Sequence, residues 1–497
     1  MKNQKLIIIA LLFVNIALAQ TKNVFLERDY WKTNPSIEDI DKKIKEGNDA
    51  AESNAGGFDA VTNAIFAKAP LDVVKHLLTI EGNDVNKLTH DKRTYAFWAA
   101  SNDNLELLKY LAENGARFDV KDSHKYSVLT FAAVGGVTNI EIFDLCIANG
   151  IDVKTDVNEH GANALHLIMR GAKDFSLVDY FTAKSLDINS LDEDGNGVFN
   201  YAAQSGNKEM VALLIEKGLP YKTLNKKGEN ALFLATRGSR RSQNSLEYLK
   251  YLEGLGLEAN LTNTEGKTPL FNLASGNKDV ETMKYFLSKG VDANQSDKEN
   301  NNALILASGR NSLEVITLLA SKTKNTNQTN KDGESALTHA LSNDAEVVAF
   351  LVEKGADVKV VDAKGNNLNY YLLNSFSARK QDNFSEKLAL LTKKGLEVKA
   401  AQKDGNNAFH IALDNRDALK LLKQVNDFGA DVNAKNNDGL TPLHKAVMQA
   451  KDVKTVKYLI SIGANKNEKT DFDESVYDLA QENEFLQANK TDINFLQ

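Results

Sequence analysis

Apolar positions along this chain come in short stripes at helical spacing. "LELLKYLAENG" (105–115), "VETMKYFLSKG" (280–290), "AEVVAFLVEKG" (345–355) and "VKTVKYLISIG" (453–463) each place apolar residues on one face of an amphipathic helix. Each ends in a glycine (Gly115, Gly290, Gly355, Gly463) where a left-handed C-terminal cap is wanted. Ahead of such a stripe lies a second, shorter apolar run with paired small residues: Ala99-Ala100, Ala132-Ala133, Ala202-Ala203 or Ala446-Val447. Small pairs let neighbouring helices approach closely. An extended run such as "ADVN" (430–433), "VDAN" (291–294) or "IDVK" (151–154) follows the second helix and leads to a turn. The pattern predicts pairs of short helices separated by tight turns.

The turn repeats. Aligned on its glycine slot it falls at 57, 92, 125, 161, 195, 228, 266, 300, 333, 365, 405, 439 and 473, in steps of 32 to 40 residues. A period in this range signifies a stacked solenoid rather than several globules. "DGLTPLHKA" (438–446) shows the parts most fully. Gly439 suits the positive φ of a tight hairpin, and Asp438 is expected to satisfy nearby backbone groups. Thr441 suits an N-cap, and Pro442 the first helical position, where its missing N–H costs nothing.

These residues resemble the ankyrin-repeat family, whose pattern runs hairpin, T-P-L-H helix, then a V-V-x-L-L helix ending in G-A-D-V-N. The resemblance covers roughly residues 27 to 490. Lys92, Lys125 and Asn300 depart from it at the slot, and the Thr-Pro pair occurs only at Thr268-Pro269 and Thr441-Pro442. The resemblance implies an all-α solenoid of helix-turn-helix units joined by β-hairpin turns. It also implies that His166, His410 and His444 make structural hydrogen bonds to neighbouring backbone. The expected organisation is a signal peptide over 1–19, an N-terminal capping half-repeat over 20–56, about twelve units over 57–472, and a C-terminal capping repeat over 473–497. Terminal units with a polar outer half are needed because an exposed apolar end face aggregates. With about 8–10 Å per packed helix layer, the expected stack is an arc on the order of 100 Å long.

Composition changes the picture at one end. "MKNQK" is a basic head, "LIIIALLFVNIALA" an apolar run, and Ala17-Leu18-Ala19 a small-residue cleavage site before Gln20. That is the layout of a secretory signal peptide, and the run is too short for a stable span. Cleavage after Ala19 and a periplasmic or secreted destination are expected, with no membrane insertion afterwards. The formal charge is −7 for the full chain. Removal of Lys2 and Lys5 makes it more acidic, so nucleic acid and anionic membranes are not expected partners. The single Cys146 cannot form an intrachain disulfide and is expected to pack as a small hydrophobe.

Chemistry is sparse. His76, His90, His124, His160 and His339 fall in different units without paired ligand spacing, whereas zinc wants three or four converging donors. "DEDGNG" (192–197) opens like a calcium loop, but its twelfth position, which requires a bidentate Glu, is Ala203. Paired carboxylates such as Glu38-Asp39 and Asp192-Asp194 read as solvated charge. No G-x-S-x-G, H-E-x-x-H, Walker loop or C-x-x-C occurs, so no catalytic residues, metal or cofactor are expected.

What is expected instead is a non-catalytic, monomeric scaffold that binds a protein partner through the concave side lined by hairpin tips and first helices. From the middle onward the tips carry Lys226, Lys227, Lys298, Lys331, Lys364 and Lys403, a ridge that suits an acidic partner. Two oversized steps supply further candidates: Arg237, Arg240 and Arg241 in "TRGSRRSQNS", and Phe376, Arg379 and Lys380 in "LNSFSARKQDNFS". Solenoid insertions map to loops on one face, often the binding face, and arginine recognises carboxylates bidentately. The alternatives are an exported effector or toxin-neutralising factor directed at another cell, and, in a different class, a hydrolase concealed in the array.

Overall fold

The computed structural model describes residues 22–238 and 242–497. The leader expected over 1–19 therefore lies outside the described residues, as do Arg240 and Arg241. The chain divides into two compact units, one of residues 1–202 with 207–220, the other of 203–206 with 221–497. Both are built from helix pairs. Among the described residues there are no strands, only isolated bridges pairing Thr329 with Ser335, Val361 with Asn367 and Lys469 with Ser475.

In the first unit the helix Ile37–Lys45 begins at a reciprocal cap between Ser36 and Asp39 and buries Ile40. Helix pairs follow, such as Tyr95–Ser101 with Leu105–Glu113 and Val128–Gly135 with Ile140–Ala148. Each first helix packs on the next first helix, Ala60–Phe66 on Tyr95–Ser101 and that on Val128–Gly135. Sandwiched on two sides, it must be apolar almost all round, and Tyr95 to Ala100 are all buried. Second helices are covered on one side, so Leu105–Glu113 buries only Leu107, Leu108 and Leu111. The second unit repeats this arrangement from Ala231–Ala235 to Pro442–Met448, Lys454–Ser461 and Val476–Glu482.

The turn works as the period requires. All thirteen slot positions have positive φ, including the non-glycine occupants Lys92, Lys125, Asn300 and Asp473 at 62°, 58°, 61° and 65°. At Gly333 glycine is needed twice over: φ is 79°, and a Cβ would lie 2.6 Å from the backbone nitrogen of Ala363 in the next tip. The residue that satisfies the turn is not the one expected. Asn436, three before the glycine, accepts from the N–H groups of Asp438 and Leu440 at 3.1 and 3.0 Å. Asn158 and Asn263 do the same for their turns. An aspartate directly before the glycine takes over at Asp404, where the earlier position is Gln402 and its side chain reaches instead to Asn367. Tips are tied to tips: within the second unit the N–H of Lys298 donates to Glu265, Lys331 to Glu299 and Asn437 to Asp404.

A second polar element joins neighbours. One asparagine after the first helix donates its amide to two carbonyls at the end of the preceding unit's first helix. Asn207 bonds Met169 and Ala172, Asn311 bonds Ala274 and Asn277, and Asn343 bonds Ser308 and Asn311. Asn415 bonds Leu373 and Phe376, and Asn483 bonds Val447 and Ala450, all at 2.7 to 3.2 Å. The helix-end carbonyls that lack an intrahelical partner are satisfied across the unit boundary.

Candidate binding surface

The tip lysines stand where the repeat places them, but they do not make a uniformly basic ridge. Lys226, Lys298, Lys331, Lys364 and Lys403 are exposed. Glu299, Asp332 and Asp404 directly follow three of them, and Lys331 pairs with Glu299 at 3.6 Å. The row alternates in sign.

The two long steps are built differently. Arg237 is exposed yet engaged: its guanidinium lies 2.5 Å from a carboxylate oxygen of Glu229, whose side chain is fully buried. Glu229 also accepts from the amide of Asn263 at 2.8 Å, so Arg237 neutralises a desolvated carboxylate and is committed there. In the second insertion Phe376 is buried against Phe384, ring centroids 5.0 Å apart. Arg379 and Lys380 are exposed, and Lys380 reaches Asp344 at 3.5 Å. The added residues lengthen the second helix to Gln381–Lys393. Arg379 and Lys380 precede that helix, while the tip at Lys364 precedes the seven-residue first helix Leu368–Asn374. The two sets of candidates therefore lie at opposite ends of a helix about 10 Å long.

The residues weighed for chemistry are engaged in structure. Cys146 is fully buried and its thiol is pushed up by desolvation. His166, His410 and His444 are buried, and desolvation holds each below the usual imidazole range. In all three the Nδ1 accepts from the N-cap backbone N–H and the Nε2 donates to a carbonyl beyond the second helix (Ser190, Leu440, Glu468) at 2.9 to 3.0 Å. That is the backbone role the resemblance implied. Asp192 of the calcium-like stretch accepts from the Asn196 backbone and from the Tyr201 hydroxyl at 2.7 and 2.8 Å. Asp39 serves its helix cap, and the Ser36 N–H and hydroxyl hold its carboxyl below the usual range. Among the described residues no group of three or more His, Cys, Asp or Glu is arranged to hold a metal, and no helix is long and apolar enough to cross a membrane.

Reading histidines for short ligand spacing missed a different grouping. His90, His124 and His160 are one repeat apart and occupy three successive tips of the first unit. Asp91 lies 3.3 Å from the His90 Nε2 and 3.8 Å from the His124 Nε2. Glu159 lies 2.8 Å from the His124 Nδ1 and 3.7 Å from the His160 Nε2. Imidazole and carboxylate alternate along the rim. Behind it stands an aromatic wall. The Phe58 ring stacks on His90 at 4.7 Å and meets Trp98 at 5.9 Å; Trp98 meets Phe131 edge-on at 5.5 Å, and Phe131 meets Tyr126 at 6.2 Å. The Arg93 guanidinium lies over Phe131 at 4.2 Å and bonds the buried Asp122 at 2.7 Å and Asp91 at 3.1 Å. Trp98 is buried, while Phe58, Tyr126 and Phe131 remain half-buried. The signal in the sequence was coincidence at the repeat period, not proximity along the chain.

A family model described as ankyrin repeats (3 copies) matches residues 62–157, 165–263, 240–330, 271–362 and 376–470. No curated protein matches the chain.

Proposed function

This chain belongs to the ankyrin-repeat family, and from that premise we propose that it is an exported, non-catalytic scaffold that holds a protein partner on its tips and first helices. The observation that carries the reading is the tip-to-tip bonding: the N–H of one tip donates to a carbonyl of the preceding one, as at Glu159 to His124 and Lys298 to Glu265. Such a surface is ordered before it meets a partner, so little entropy is lost on association. The buried or committed state of Cys146, His166, His410, His444 and Asp192 supports a structural use of the groups that chemistry would need.

Export rests on the leader-like first residues, from the basic head to Ala19. The test is expression of the full chain in a Gram-negative host, fractionation, and N-terminal sequencing of the product. A periplasmic or extracellular protein beginning at Gln20 is the expected result; an uncleaved cytoplasmic chain overturns the export reading. In the same preparation, crosslinking in the intact envelope is expected to capture a discrete protein partner, and a chain that crosslinks to nothing overturns the scaffold reading.

A further inference from the structure

We propose that the rim of His90, Asp91, His124 and Glu159, with the aromatic wall behind it, docks a basic polypeptide segment carrying an aromatic or aliphatic side chain. The proposal rests on the scaffold reading and deepens it by stating where the partner sits and what chemistry it brings.

The wall is not something the repeat needs. The position directly after the slot is aromatic at Phe58 and Tyr126 in the first unit, beside Arg93, Ala162 and Asn196, and at none of the second unit's slots, where Glu229, Asn301 and Glu334 are among its occupants. Six after the slot stand Trp98, Phe131 and Tyr201 beside Asn63 and Leu167 in the first unit, whereas the second unit has one ring there, Tyr371, among Asn272, His339, Lys445 and four aliphatic residues. Helix pairs stack with polar residues at both places, so the rings answer to something other than the stack. Rings left half-buried in contact with one another have apolar area still to hide, and a cluster of aromatics around an arginine is the composition of an interface anchor.

Charge selects the occupant. Residues 22–220 hold 21 Lys and Arg against 31 Asp and Glu, a formal −10; residues 221–497 hold 37 against 36, a formal +1. Acidity is thus concentrated in the unit that carries the wall, and it steers a cationic segment there. At the rim the one guanidinium, Arg93, is shared between Asp91 and Asp122, and the described partners of Glu159 are the imidazoles of His124 and His160. Lys92 and Lys125, at the slots between these tips, are the exposed cations of the same row and set the gap into which a basic side chain must fit. A lysine or arginine of the partner meets Glu159 at the rim while its apolar neighbour covers Phe58 and Phe131.

The experiment is selection of a randomised dodecapeptide library on the chain lacking residues 1–19, followed by affinity measurement of the enriched peptides. Peptides combining Lys or Arg with an aromatic or aliphatic residue are expected, with binding that weakens as salt is raised. Glu159→Lys, a substitution at an exposed tip, is expected to weaken them about tenfold; Phe58→Ala is expected to weaken them as much or more. Lys423→Glu, on the exposed side of the second helix Ala418–Val425 and away from the tips, is expected to leave binding unchanged. Enriched peptides that are acidic, or basic peptides indifferent to both Glu159→Lys and Phe58→Ala, overturn this surface while leaving the scaffold reading standing. A library that yields no binder at all counts against both.

Discussion

Lys387 is 2 % exposed, and its amine donates at 2.7 Å to the carbonyl of Leu341, at the C-terminal end of the helix Ala336–Ala340. Desolvation lowers it from the ordinary 10.5 to about 8. The folded chain therefore gives up a proton that the unfolded chain keeps between pH 8 and 10.5, so stability should rise with pH across that window and carry the full burial cost below it. Lys387→Met is expected to raise the unfolding free energy by about 1–2 kcal/mol at pH 7, because it removes a buried charge while giving up one hydrogen bond. By pH 10 that advantage should vanish. Denaturant titrations of both proteins at the two pH values check this, and a difference that does not change with pH rules it out. No sequence rule marks this lysine, since its burial comes from a helix lengthened by the local insertion.

Helix starts show how much the sequence decides and where it stops. Thr441 and Thr268 both precede a first-position proline and both read as N-caps. Thr441 accepts from the His444 N–H at 3.2 Å; the Thr268 hydroxyl is buried without a hydrogen-bond partner. Thr441→Val is expected to cost about 1 kcal/mol, whereas Thr268→Val should be neutral or stabilising because it relieves a desolvated hydroxyl. Comparing the two melting shifts is the test, and equal losses contradict it. The turn was legible because positive φ leaves its mark on residue choice, so even Lys92 and Asn300 could be aligned from their glycine-bearing neighbours. Helix pairs were legible because burial on one or two sides sets their apolar pattern. The asparagines that join units and the histidines that meet at the rim were not, since each pairing depends on a residue a whole repeat away. Arg237 looked like a free surface arginine because nothing along the chain marks Glu229, eight residues earlier, as the buried carboxylate it pairs with.

Across the whole molecule the bonds between neighbours span about one repeat, 36 residues from Asn483 to Val447 and 37 from Asn311 to Ala274. Stability is then a sum of unit and nearest-neighbour terms, and damage should stay local. Leu443, 1 % exposed in Pro442–Met448, tests this: Leu443→Asp buries a charge between first helices. Hydrogen exchange is expected to lose protection over residues 408–482 while protection over 60–200 is kept. Uniform loss along the chain would show that the array melts as one body.

The amides that stitch successive helix pairs together also bear on how the protein ages. Hydrolysis of a side-chain amide to a carboxylate would turn two donated bonds into repulsion against two carbonyl oxygens. Such hydrolysis runs fastest where glycine follows the asparagine. Asn207, Asn311, Asn343, Asn415 and Asn483 are followed by Lys, Ser, Asp, Arg and Glu, while the chain's Asn–Gly pairs, 114–115, 149–150 and 196–197, fall at helix ends and in a turn. Chemical wear in this protein is thereby directed to sites whose loss leaves the stitching intact.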